Sequence, residues 1–300
     1  MKKLSLLFTG WLLFFCLFAQ ERTGIVEDTG LPHIPRVSTG PYRYETPRMR
    51  RNPWVNQATL AGIGQTFLLD TYLSPLRYDG TSLSILHERI HATRLFSERL
   101  LLQHQFHIQL ANTTNPIGNA TQYYANLSYH LNGLYPVMDI YRFRLFVGGG
   151  IDASLGGIYN TRNSNNPGSA KASSNLNLAV MARYNWNRFT FRWQLSTPFA
   201  GLFFAPGFGQ SYFEIFALGN TSGTTHFGSF HNQQALRNYF TVDIPLRNFT
   251  IRTGYLGNYY RTDVNSLITN IRTHQFMIGI VSESLSLGGR RSRKANSVFY

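Results

Sequence analysis

Ser128, His130 and Asn132 stand at alternate positions of one short segment and are the nearest thing in the chain to a hydrolytic centre. A serine attacking an ester needs a base and a third group that orients the base. On an extended chain, however, side chains two residues apart stand about 6–7 Å from one another. A working Ser–His pair needs contact at about 3 Å. Three small polar residues lining one face is therefore the simpler account, with hydrolysis the alternative. His87, Arg89 and His91 also share one parity, and His107 and His130 fall on nearby segments. A metal ion requires ligands converging to about 2 Å, and the extended spacing of His87 and His91 holds them too far apart. Gly148, Gly149, Gly150, Gly156 and Gly157 lack the Gly-Lys-Ser/Thr ending of a phosphate loop. No metal and no cofactor is expected.

Charged residues carry a clearer message. Arg142, Arg144, Arg183, Arg192, Arg237 and Arg252 alternate with apolar neighbours, and Asp70, Asp152, Glu214 and Asp243 fall on the same side of that alternation. A guanidinium group keeps its charge at physiological pH, so each needs water or an acceptor. Inside a closed wall such residues can form ion-pair ladders that brace it, or a positive constriction that favours anions. The arginines outnumber the carboxylates in this set, so a positive interior is expected.

The elements that must position these groups are strands. From Thr59 to Ser284, segments of about ten residues alternate apolar and polar side chains between turn-rich stretches. In Gln122–Asn132, Tyr123, Ala125, Leu127, Tyr129 and Leu131 share one face. Gln122, Tyr124, Asn126, Ser128, His130 and Asn132 share the other. A soluble sandwich also alternates, with its apolar face buried. Here the apolar faces of the clear segments carry no Lys, Arg, Asp or Glu, which suits lipid. Charge on the lipid face of a barrel costs about 2–4 kcal/mol at the midplane. The first hairpin is less clean, because Glu88 shares parity with Leu86 and Ile90. His87, Arg89, His107 and His130 are assigned with the other polar positions to the interior.

The fold class expected is all-β: an antiparallel transmembrane outer-membrane β-barrel of about twelve strands. Thr224–Asn232 is counted as the twelfth pass; ten strands follow if Gln210–Asn232 is a loop excursion. Asn185–Arg188 and Pro245–Asn248 read as tight periplasmic turns, and Ser74–Gly80 and Asn160–Ser174 as extracellular loops. An even strand number returns both ends to the periplasm.

Composition agrees. Charged residues make up 14% of the 300 and aromatics 15%, against roughly a quarter charged in a soluble domain. Lys2 and Lys3 precede an apolar run from Leu4 to Ala19. It is short for a bilayer span of about 20 residues and reads as a signal peptide cut after Ala19. The lone cysteine, Cys16, lies in that run behind Phe14 and Phe15, where a lipidated cysteine would follow a small residue. The expected layout is a signal peptide at 1–19, a periplasmic arm at 20–57, the barrel at 58–285 and a basic tail at 286–300. The formal charge of +14 is spread as single arginines, and export argues against nucleic acid. Expected partners are outer-membrane lipid and lipopolysaccharide, an anionic solute, and the barrel assembly machinery during insertion.

The run Phe67–Gly80, with Asp70, Ser74-Pro75 and Tyr78-Asp79-Gly80, resembles the opening strand and loop of an uncharacterised outer-membrane barrel family of Bacteroidetes, and Phe230–Tyr239 is similar to a later part of it. The resemblance implies the barrel fold and the outer-membrane location over nearly the whole mature chain. It implies no catalytic residue.

Overall fold

The computed structural model describes residues 54–93, 99–164, 166–246 and 249–285. The expected signal peptide, the expected basic tail and all but the end of the expected arm lie outside them. Eleven strands and one short helix follow in order: β1 Trp54–Asp70, β2 Ser74–Ala92, β3 Leu101–Thr114, β4 Thr121–Ile140, β5 Phe143–Asn160, β6 Gly168–Trp186, β7 Phe189–Phe204, α1 Tyr212–Phe216, β8 Thr225–Ser229, β9 Gln233–Pro245, β10 Thr250–Val264 and β11 Leu267–Leu285.

Every pairing is antiparallel. β1 through β7 pair in sequence, β7 pairs with β9, then β10 and β11 follow, and β11 returns to β1 with Trp54 opposite Leu285 and Asp70 opposite Thr269. The sheet therefore closes as a ten-stranded barrel with β8 as an extra strand. β8 covers only Ala200–Phe204 of β7. It runs in the same direction as β9, and both lie against β7. Together β8 and β9 make one descending pass interrupted at Phe230-His231-Asn232. Of the two expected counts, about twelve and ten, the barrel has ten, with one extra strand: Thr225–Ser229 is the start of a pass already counted.

The side-chain alternation is inverted relative to a soluble protein. In β3, Gln103, Gln105, His107 and Gln109 are buried, while Phe106, Ile108 and Leu110 are exposed. The same holds in β6, where Asn175 and Asn177 are buried beneath exposed Leu176, Leu178 and Val180. An apolar exterior around a polar interior is the arrangement of an outer-membrane barrel. Most strands are longer than the 9–11 residues a tilted crossing needs, so the wall projects beyond the hydrocarbon.

Turns match the chemistry of their residues. Asn265 and Ser266 join β10 to β11 with φ of 53° and 59°, the two positive values of a type I′ hairpin turn. Asn187, with φ 54°, opens the β6–β7 turn, and asparagine tolerates that region better than other side chains. Two loops are shorter than expected. Thr71–Leu73 makes the first turn, and Ser74–Gly80 already belongs to β2. Gly168–Ser174 belongs to β6 and pairs with β5. Its outward residues Ala170 and Ala172 are too small to produce a visible apolar face, so backbone pairing, not side-chain pattern, extends the strand.

The interior is layered. At the end carrying Thr71–Leu73, Leu68, Tyr72, Leu73, Tyr78, Tyr124, Ile158 and Ile271 form an apolar cap with Tyr212 and Tyr260 packed against it. Leu60, Leu86, Tyr239, Leu256 and Met277 fill a second layer. A Cβ at Gly62 would lie 2.3 Å from the Met277 sulfur, so a residue without a side chain there makes room for the methionine. Leu134, Phe146, Ala179 and Met181 close the other end.

Candidate functional site: the barrel interior

β2 carries Glu88 inward, fully buried. The ten-strand ring places β7 opposite β2, and Arg192 on β7 reaches across to bond the Glu88 carboxylate. Arg252 on β10 donates to the same Glu88 oxygen from Nη1 at 2.6 Å. Its Nε and Nη2 hold Asp243 at 2.5 and 2.7 Å, and Nη2 also reaches Asn56 at 3.1 Å. The second Glu88 oxygen accepts from Gln103 at 2.7 Å and Gln105 at 2.9 Å. Gln103 and Gln194 exchange amide hydrogen bonds at 2.7 and 2.8 Å, and Asn132 donates to Gln103 at 3.2 Å. Residues of β1, β2, β3, β4, β7, β9 and β10 thus join in one network across the lumen. A carboxylate with two arginines and two amides has every lone-pair direction engaged, the condition under which buried charge is tolerated.

Towards the apolar cap lies a polar cavity of about 130 Å³, lined among others by His107, Ser128, His130, Asp152, Lys171 and Arg237. Lys171 is tied to buried Asp70 at 2.9 Å and to Thr269 at 2.9 Å. Asp152 accepts from Asn175 at 2.9 Å. Arg183 is buried beside the network, in a small gap lined also by Arg192, Asp243 and Arg252.

Of the residues assigned to the interior, Asp70, His107, His130, Asp152, Arg183, Arg192, Arg237, Asp243 and Arg252 face it. Five do not. His87 and Arg89 point outward; His87 meets Thr59 at 2.9 Å. Their assignment took apolar Leu86 and Ile90 as the lipid side, but here the lumen is packed with apolar side chains and the outer wall carries polar ones. Arg142 sits in the β4–β5 turn over the Tyr141 ring at 4.9 Å. Arg144 has inward parity but lies at the strand's end, exposed, pairing with Asp139 at 2.9 Å. Glu214 belongs to α1, where it closes a capping box with Ser211. Glu88 and Lys171 were missed. Among the described residues, the interior therefore sets Lys171, Arg183, Arg192, Arg237 and Arg252 against Asp70, Glu88, Asp152 and Asp243, a near balance in place of the expected positive surplus.

Ser128, His130 and Asn132 line the inner face of β4, with no hydrogen bond between them; Asn132 serves Gln103 instead. Among the described residues no group of three His, Cys, Asp or Glu is placed to hold a metal ion. A concavity of about 700 Å³ includes the outward residues Leu83, Leu110, Tyr123 and Tyr159, where Ala125, Gly157 and Ala170 leave a hollow in the wall.

Residues 10–291 match the family described as "Protein of unknown function (DUF3316)". No curated protein matches the sequence. Among solved structures, the chain is similar to the β domain of the Bordetella autotransporter BrkA, with 12% identity, 77% of this chain and 98% of that one covered, and a TM-score of 0.37. For the translocator domain of the autotransporter NalP from Neisseria meningitidis the values are 9%, 78%, 89% and 0.38. For an outer-membrane channel from Pseudomonas putida F1 they are 12%, 82%, 100% and 0.36.

Proposed function

The chain belongs to the DUF3316 family, and on that premise we propose that it is a non-enzymatic outer-membrane barrel whose interior is braced shut, a structural element and not a standing anion pore. The supporting observation is the Glu88–Arg192 pair, which joins opposite walls and carries Arg252, Asp243, Gln103 and Gln194 with it. Apolar layers lie at both ends of the lumen. The near balance of interior charge removes the main ground for a strong anion preference. The lipid-hydrolase alternative lacks its defining contact, since no hydrogen bond joins Ser128 to His130.

The exposed apolar belt supports residence in the outer membrane after export, with lipopolysaccharide as the outer-leaflet neighbour and the barrel assembly machinery as the route of insertion. Purified protein in planar bilayers tests the proposal. Wild-type protein is expected to give no steady current, and Glu88→Ala to give intermittent openings. A stable ohmic current from the wild type overturns the closed reading, and its reversal potential in a salt gradient then reports selectivity.

A further inference from the structure

The cavity above the ion network contains an arginine whose binding edge is free. Arg237 on β9 is only 8% exposed. Its Nη1 donates to Asn258 at 3.0 Å. Its Nε and Nη2 are buried and have no hydrogen-bond partner among the described residues. These two atoms form the side-on edge of the guanidinium, two parallel N–H bonds spaced to meet two oxygens of one anion. The Nε2 atoms of His107 and His130, on the same cavity, are also unpartnered. Lys171 is occupied by Asp70, and the Asp152 carboxylate, which also lines the cavity, accepts from Asn175.

Backbone pairing lapses in the wall beside Arg237, where the Thr197 hydroxyl, donating to the Ala235 carbonyl at 2.8 Å, links the two sides. β7 pairs with β9 as far as Ser196 opposite Arg237, and with β8 only from Ala200 opposite Ser229. In between lies Pro198, which has no N–H to give to a ladder. The cavity lining includes Thr197 and Pro198 on one side of this break and Ala235 and Leu236 on the other. Leu236 is turned outward and is 45% exposed. The cavity therefore extends into the wall at a point where backbone pairing lapses and an apolar side chain meets the membrane.

We propose that Arg237 anchors a binding site for a phosphate-type anion, entered through the break between β7 and β9. The cavity volume of about 130 Å³ is several times the ~30 Å³ share of one water molecule. That suits a phosphate group and excludes a whole lipid, whose chains would stay outside against Leu236. The anion is either the headgroup of an anionic amphiphile or free phosphate. The site does not depend on the lumen being closed, which conductance tests separately.

Two arms distinguish the sources. The full chain in zwitterionic detergent is titrated with inorganic phosphate by calorimetry. The same protein in phosphatidylcholine nanodiscs, without and with phosphatidic acid, is followed by its unfolding midpoint. Saturable phosphate binding assigns the site to a solute, and a phosphatidic-acid shift assigns it to a lipid headgroup; either supports the site. Arg237→Gln is expected to weaken the response about tenfold or more, since two charge-assisted hydrogen bonds are lost. Arg237→Lys keeps the charge without the fork and recovers it only in part. Arg77→Gln, on the exposed surface, leaves it unchanged. Heat-modifiable migration identifies folded variants, and Arg237→Lys carries the comparison where the glutamine variant does not fold. No saturable response in either arm, or wild-type affinity in a folded Arg237 variant, overturns the proposal.

Discussion

Glu88 has Leu86 and Ile90 as its same-face neighbours, and from sequence it looks like an error in a lipid-facing row. In the folded chain it joins opposite walls, with Arg192 and Arg252 on one oxygen and two glutamines on the other. Removing one partner of a buried charge network leaves the others uncompensated, at a cost of about 3–5 kcal/mol. Glu88→Ala should therefore shift the urea midpoint in detergent strongly. Asp79→Ala removes the partner of exposed Arg77 and should change stability by about 1 kcal/mol or less. Similar effects at the two sites would show that the Glu88 network does not brace the barrel. Arg192, Arg237, Asp243 and Arg252 were placeable from sequence because each sits among alternating neighbours. His87 and Arg89 were not, because the rule that polar means inward fails where the lumen itself is apolar and the wall beyond it is polar.

Among the elements, strands with large outward residues were legible and those with small ones were not. β3 and β4 announce themselves through Phe106, Ile108, Leu127 and Tyr129. The upper part of β6 does not, since Ala170 and Ala172 leave no apolar signal and only its pairing with β5 shows it as strand. From sequence β8 and β9 count as two passes because Thr224–Asn232 reads as a strand of its own, yet both lie against β7. The helix α1 was not anticipated at all. A five-residue helix is too short for periodicity, and its signal is the capping box of Ser211 and Glu214. Tyr212 ties this helix to the barrel: its hydroxyl accepts from the Ala170 N–H at 2.6 Å. Burial pushes the Tyr212 hydroxyl up to about 12 from an ordinary value near 10. A group raised in the folded state stabilises it fully below the unfolded value and loses that contribution as pH passes through the folded one. Protease protection of the 205–224 loop should hold to about pH 10 and decline between pH 10 and 12. Tyr212→Phe should abolish that decline. A loop cleaved equally at pH 8 and pH 11.5 in the wild type would disprove the docking. Ser211→Ala should separately loosen the loop by about 1 kcal/mol, through loss of the cap, seen as faster cleavage at neutral pH.

For the whole molecule, the pairing of β11 with β1 closes the ring of ten strands, as a strand-built membrane protein requires. Exposed Phe106, Ile108, Leu127, Leu178, Trp193 and Phe240 place an apolar belt on the outer wall. Leu127→Arg places a charge on that belt and should lower the yield of heat-modifiable, membrane-inserted protein, at about 2–4 kcal/mol for a midplane position. Ile117→Arg, in the loop between β3 and β4 where the side chain is 75% exposed, should insert normally. Equal insertion of both would mean that Leu127 does not face hydrocarbon. The sequence by itself determined the fold class and the apolar face of most strands, because both follow from a two-residue period that is local to each strand. It did not determine the strand number, which depends on whether β8 and β9 share one neighbour. Nor did it determine which charges meet. Glu88 lies 104 positions from Arg192 and 164 from Arg252, and only the closure and register of ten strands bring them across one lumen. Such contacts are set by the geometry of the closed ring, of which no single strand carries a trace.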